Sequence, residues 1–196
     1  MNYYISDLHF FAVSQIDNGG CNFDGRPYKT LEDMHEDIVK RWNRKITNGD
    51  TVYILGDLSI RGRNEGLIEM VAKLKGRKIL VKGNHDDVKD YRYKQLFEQI
   101  CDYKEISDSF EGKSYKLILS HYPILMWNGQ HKGSILLYGH THKTSEDTFF
   151  QECLKEMNKR SDIHHEREPE FRAINVGCMC SYINYEPRSL RELIGG

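Results

Sequence analysis

Five polar clusters stand in order along the 196-residue chain, each directly behind a short apolar run: Asp7-Leu8-His9, Gly56-Asp57, Gly83-Asn84-His85-Asp86, Ser120-His121 and Gly139-His140-Thr141-His142. If each run is a buried strand, every cluster falls at a strand's C-terminal end, where open α/β sheets place their ligand crevice. One crevice can then collect all five. Apart from His85, the clusters bring together Asp7, His9, Asp57, Asn84, His121, His140 and His142. Carboxylate, imidazole and amide donors suit borderline divalent cations, and this set exceeds what one tetrahedral ion uses. The pattern predicts two ions.

Length fits a single α/β domain over 1–196, with a core of useful size. The formal charge is −1, so no overall basic field points to nucleic acid or an anionic membrane surface. A first strand starting at Tyr3 leaves no room for a signal peptide, and no apolar run approaches the ~20 residues of a membrane span. Cytoplasmic location is the resulting expectation. The five cysteines are odd in number and lack disulfide-framework spacing, as suits a reducing compartment.

Runs at 3–6, 51–55, 78–81, 115–119 and 134–138 carry the β-branched, aliphatic and aromatic residues of strands. Leu31, Met34, Ile38, Val39, Trp42 and Ile46 recur at helical spacing, with Thr30 as N-cap and Asn48-Gly49 as stop. A second helix is predicted over 64–74 and a third over 90–100. Segments 104–110 and 114–119 flank Glu111-Gly112-Lys113 as a hairpin, so the first half reads as parallel and the second as antiparallel. Residues 143–170 are charged and irregular, with a weak helix over 150–157, and read as an insertion or lid. Strands at 171–176 and 181–185 and a helix at 187–194 complete the expectation.

On average residue usage, Gly-Asn-His-Asp arises by chance in roughly one chain in a thousand and Gly-His-x-His in roughly one in a hundred or two. With Asp-x-His, Gly-Asp and a lone His in the same order, the chain resembles the calcineurin-like metallophosphoesterase superfamily over residues 3–142. Asn175-Val176-Gly177 looks like the closing strand of its bacterial and phage-type members. The resemblance implies a layered α/β/β/α sandwich with mixed sheets. It implies Asp7, His9 and His142 on one metal, Asn84, His121 and His140 on the other, and Asp57 bridging both, which leaves His85 free of metal. Manganese, iron, zinc or nickel suits such ligands, manganese being favoured.

The residues agree with that division. A carboxylate offers two oxygens that can face different ions, as Asp57 would have to. Paired ions supply a shared hydroxide as nucleophile and clamp the oxygens of an in-line displacement. Two dications less Asp7, Asp57 and one hydroxide leave about +1, enough to attract phosphate despite a neutral chain. His85 has the pKa range to protonate a leaving alkoxide as general acid. The resemblance places Arg61 where protein-phosphatase members grip substrate phosphate, whereas Ile60 stands where those members keep an aspartate that orients the catalytic histidine.

The expected function is hydrolysis of a phosphoester, a small molecule or a phosphoprotein, by a phosphatase or phosphodiesterase. A nuclease would need a basic groove, for which Lys40, Arg41, Arg44 and Lys45 are available but more simply form a solvated helix face. A non-catalytic scaffold would have lost a ligand, and none is missing. Cys178-Met179-Cys180 is too tightly spaced for a zinc knuckle and reads as buried strand cysteines. His164-His165 reads as a solvated pair, and Tyr122, Trp127 and His131 as a mixture of pocket wall and packing.

Overall fold

A computed structural model describes residues 1–16, 21–59, 65–166 and 168–195. Among these, nine strands form two mixed sheets. The first has β1 (Asn2–Ile5), β2 (Thr51–Ile54), β3 (Arg77–Val81), β4 (Gln99–Cys101) and β9 (Arg188–Ser189) in the order β4-β3-β2-β1-β9. The second has β5 (Lys104–Phe110), β6 (Lys113–Leu119), β7 (Ile135–Tyr138) and β8 (Arg172–Asn175) in that order. β1 to β4 are parallel and β9 joins β1 antiparallel.

In the second sheet only the β5–β6 pair is antiparallel, whereas β6, β7 and β8 run parallel. This corrects the expectation of an antiparallel second half: the hairpin is real, but its return strand feeds two parallel crossovers. The hairpin turns at Glu111 and Gly112, whose φ values of 50° and 76° give the left-handed pair that matches strand twist.

Alternation sorts the second sheet's side chains to two faces. Leu117, Leu119, Ile135 and Leu137 join the core shared with the first sheet. Ile118, Leu136 and Tyr138 point the other way and meet α4 (Ser145–Lys159) through Phe150, Leu154 and Met157. On the far side of the first sheet lie α1 (Leu31–Lys45), which buries Met34, Ile38 and Trp42, and α2 (Glu65–Lys73), which buries Leu67 and Val71. The layers are therefore α/β/β/α. Thr30 caps α1 by accepting from the Asp33 amide, and the Trp42 indole donates to Lys75 O at 2.9 Å, tying α1 to the end of α2.

Four further expectations are corrected. The third helix ends after four residues, α3 (Tyr91–Lys94), because the chain beyond it is taken into the sheet as β4, paired with β3. Residues 181–185 form turns, with Asn184 and Tyr185 at φ 52° and 58°; the terminal helix α5 (Leu190–Ile194) starts later than expected, at a Ser189–Glu192 capping box. Within 143–170, α4 begins before and ends after the helix expected over 150–157. Its buried residues 150, 154 and 157 have the i, i+4, i+7 spacing of a core-facing stripe.

Candidate metal centre

The strand ends converge. Asp7 and His9 follow β1, Asp57 follows β2, Asn84 and His85 follow β3, His121 follows β6, and His140 and His142 follow β7. Pairing of β1, β2 and β3 in the first sheet brings the first three clusters side by side. The seam between sheets is closed by Ser6, whose amide donates to Val176 O at 2.8 Å and whose carbonyl accepts from Cys178 N at 2.9 Å. Asp7, His9, Asp57, His140 and His142 all have positive φ, from 49° to 69°. Non-glycine residues rarely adopt this region, and such strain persists where the surroundings over-determine it, as at functional sites.

The donor atoms fall into two groups, Asp7–His9–His142 and Asp57–His121–His140, each with its ligand atoms within 4.8 Å of one another. Asn84 joins the second: its Oδ1 lies 3.1 Å from His121 Nε2 and 3.0 Å from His140 Nδ1. Asp57 Oδ2 lies 3.5 Å from His121 Nε2 and 3.6 Å from His9 Nε2, between the groups. All seven side chains expected at the centre are therefore in one crevice.

The protons on the rings decide whether a cation fits. His121 Nδ1 is 2.8 Å from the Leu55 carbonyl, which can only accept, so that nitrogen carries the hydrogen. In the neutral ring Nε2 is then a bare lone pair, yet it faces Asn84 Oδ1 and Asp57 Oδ2, both acceptors. His142 repeats the arrangement: Nδ1 donates to Asp24 Oδ2 at 2.8 Å, leaving Nε2 bare at 3.1 Å from His9 Nε2 and 3.8 Å from Asp7 Oδ1. At His121 these converging acceptors have no proton between them and repel unless a cation sits among them. The donor set fits divalent metal.

Burial, with the His142 and Arg26 charges nearby, holds His9 well below the ordinary histidine value, so its ring is neutral and ready to ligate. Burial also lowers His140, helped by His121. It raises the Asp7 carboxyl, which the imidazoles of His142 and His121 oppose; the Ser6 hydroxyl and the His140 amide hydrogen-bond that carboxylate. Gly83 and Gly139 pack against the Asp57 and Asp7 carboxylates so closely that a Cβ would collide with them. That close approach is why these positions lack side chains.

The sequence reading missed three carboxylate and guanidinium groups that hold the ligands in place. Asp24 orients His142, and buried Arg26 fastens Asp24 at 3.1 Å while donating to the Asp7 and Leu8 carbonyls, both at 2.8 Å. Burial opposes ionisation of Asp24, but the His142 hydrogen bond and Arg26 outweigh it and hold the carboxyl below its usual value. Asp86, noted only as part of its tetrapeptide, accepts from the amides of Asp57, Leu58 and Gly83 at 2.8 to 3.0 Å, locking the β2 and β3 loops together. Burial pushes its carboxyl up to about 6 against those amides. Carboxylate partners of ligating histidines are a recurrent support of metal sites, so an aspartate near an arginine in the 21–30 loop was the available signal.

His85 is exposed at the crevice lip. Its amide donates to Asp57 Oδ1 at 3.0 Å and its ring lies 5.6 Å from that of His9; among the described residues no side-chain hydrogen bond holds it. Arg61, Arg63 and Ile60 lie outside the described residues. On α1, Arg41, Arg44 and Lys45 pair with Asp37, Glu186 and Glu192, which answers the charge a basic groove would need. Tyr122 flanks His121 and His140, whereas Trp127 is buried on Ser134 and His131 bonds Glu168. Cys178 and Cys180 are buried, though in turns rather than strands, and burial pushes both thiols up to about 12. No helix among the described residues is long and apolar enough to cross a membrane.

A sequence model of the calcineurin-like phosphoesterase family matches residues 3–177. The chain belongs to that family. It is 29% identical over 193 residues to MJ1445 of Methanocaldococcus jannaschii, covering 98% of this chain and 88% of that protein. It is 29% identical over 132 residues to the gene 66 protein of Mycobacterium phage D29, covering 56% and 65%. The crystal structure of AQ665 from Aquifex aeolicus, a protein of unknown function, superimposes with a TM-score of 0.66 at 26% identity, covering 98% and 96%.

Proposed function

We propose that this chain hydrolyses phosphoesters at a two-metal centre, with Asp7, His9 and His142 holding one ion, Asn84, His121 and His140 the other, and Asp57 shared. The observation that carries the reading is the pair of acceptor clusters around one carboxylate oxygen, 3.5 and 3.6 Å from an imidazole nitrogen of each cluster. Bound divalent ions supply water of lowered pKa and positive charge for the phosphoryl oxygens. Manganese is the favoured metal and the cytoplasm the favoured setting.

The chain's own groups do the rest. Asp24 and Leu55 O fix the protons of His142 and His121 on the nitrogens facing away from the ions. Asp57, its Oδ1 held by the His85 amide, turns Oδ2 towards both clusters. His85 then delivers a proton from its exposed ring to the departing oxygen, and Arg61 steadies the phosphate. The pairing of Arg41, Arg44 and Lys45, three of the four α1 cations, with carboxylates supports a small-molecule or phosphoprotein substrate over a nucleic acid.

The test is turnover of a chromogenic phosphodiester by manganese-loaded protein. Asp57→Ala should abolish it, His85→Ala should abolish turnover of an alkyl diester, and unchanged rates in both would refute the mechanism. Phosphomonoester, phosphodiester and nucleotide panels would then identify the preferred ester.

A further inference from the structure

Next to His140 the surface opens into a groove of about 330 Å³, lined chiefly by Tyr122, Leu125, His140, Glu146, Phe149 and Phe150. That volume lies in the range of small-ligand pockets. Its apolar walls face solvent: Tyr122 is 48% exposed, Leu125 39% and Phe149 68%, with Met126 nearby at 75%. Clustered exposure of large apolar side chains marks a binding surface more often than chance.

Two features say what would lie there. The groove is continuous with the metal centre, because His140 belongs to both and the Tyr122 ring packs 4.6 Å from that of His140 and 5.0 Å from that of His121. A group attached to a phosphorus at the centre can therefore reach over Tyr122. The charge is also selective. Glu146 is the groove's carboxylate, and no lysine or arginine among the described residues lines it, so a second phosphate there would meet repulsion while an uncharged ring would bury apolar surface.

We propose that this groove is a specificity subsite for an uncharged aromatic substituent of the ester, so that the substrate class is aryl-type phosphoesters rather than polyanions. The inference rests on the proposed function and deepens it. An aromatic substituent can use the faces of Tyr122 and Phe149, whereas a short alkyl group leaves the groove wet.

Calorimetric titration of manganese-loaded protein with methylphosphonate and phenylphosphonate tests this without turnover. Phenylphosphonate should bind about 10- to 100-fold more tightly. That ratio should shrink in Phe149→Ala and in Leu125→Ala, and 4-phosphonobenzoate should lose the advantage in wild type but recover it in Glu146→Gln. A phenyl-to-methyl ratio within about twofold, or one unchanged in both groove variants, overturns the subsite while leaving the metal reading standing. Failure of both phosphonates to bind a manganese-containing protein overturns both readings. A molar mass that halves in Phe149→Ala also overturns the subsite, because a second copy then covers the groove.

Discussion

His142 donates from Nδ1 to the Asp24 carboxylate at 2.8 Å, and Asp24 is itself clamped by the buried guanidinium of Arg26. The bond aims the bare Nε2 at the first metal cluster. Removing such a partner commonly weakens metal binding by about 10- to 100-fold. Asp24→Asn should therefore lower affinity by that factor at the Asp7–His9–His142 cluster and leave the other cluster nearer wild type. Competition with a chromogenic chelator measures it, and two wild-type affinities would reduce Asp24 to a counter-ion for Arg26.

If His85 protonates the leaving oxygen, its importance must follow the leaving group. His85→Gln should slow an alkyl ester by about 10²- to 10⁴-fold but an ester of an acidic phenol far less, because that phenolate departs unaided. Metal content should be unchanged, since the residue meets Asp57 through its amide. Comparing kcat for the two esters, alongside elemental analysis, separates proton donation from a loss of ligands.

His35, away from the centre, predicts a pH effect. Its Nε2 accepts from the Phe11 amide at 3.0 Å, its ring lies 4.5 Å from that of Phe11, and burial lowers its pKa from 6.5 despite Glu32. The folded chain thus refuses a proton that the unfolded chain takes up. Stability from this residue is present above about pH 6.5 and is lost as pH falls below it. Against His35→Gln, whose amide oxygen can accept the same bond, wild type should lose stability between about pH 7 and pH 5. Urea melts in chelator, compared at each pH, give that difference; a gain instead of a loss would contradict it.

What the sequence revealed and what it concealed divide along physical lines. Strand ends were legible because Tyr3–Ile5, Val52–Leu55 and Leu117–Leu119 are uninterrupted apolar runs buried on both faces, followed at once by polar clusters. The donor residues were legible because their identities are chemically restrictive. Asp24 and Arg26 were not, because nothing local marks them: their partners are His142, Asp7 and Leu8, met only after folding. β4 was read as helix because its pairing with β3 is a tertiary decision, and β9 needs just two residues to close the sheet edge. Charge on the exposed face of α4 concealed a stripe that the folded chain buries.

That stripe yields the last prediction. Phe150 is 6% exposed, packs 5.0 Å from the Tyr138 ring, and belongs to the core over the second sheet. A lid would tolerate its truncation, whereas Phe150→Ala in a packed layer should cost about 3–5 kcal/mol in urea unfolding. The loss should also reach the metals. One turn earlier, Asp147 accepts from Tyr138 OH, Thr141 Oγ1 and Asn175 Nδ2 at 2.7 to 2.9 Å, and Asn175 also donates to His142 O at 2.8 Å. Through these bonds α4 fixes the loop that carries His140 and His142. A variant that keeps wild-type stability would restore the lid reading, while one that loses stability but keeps both metal affinities would show that the loop holds its shape without the helix.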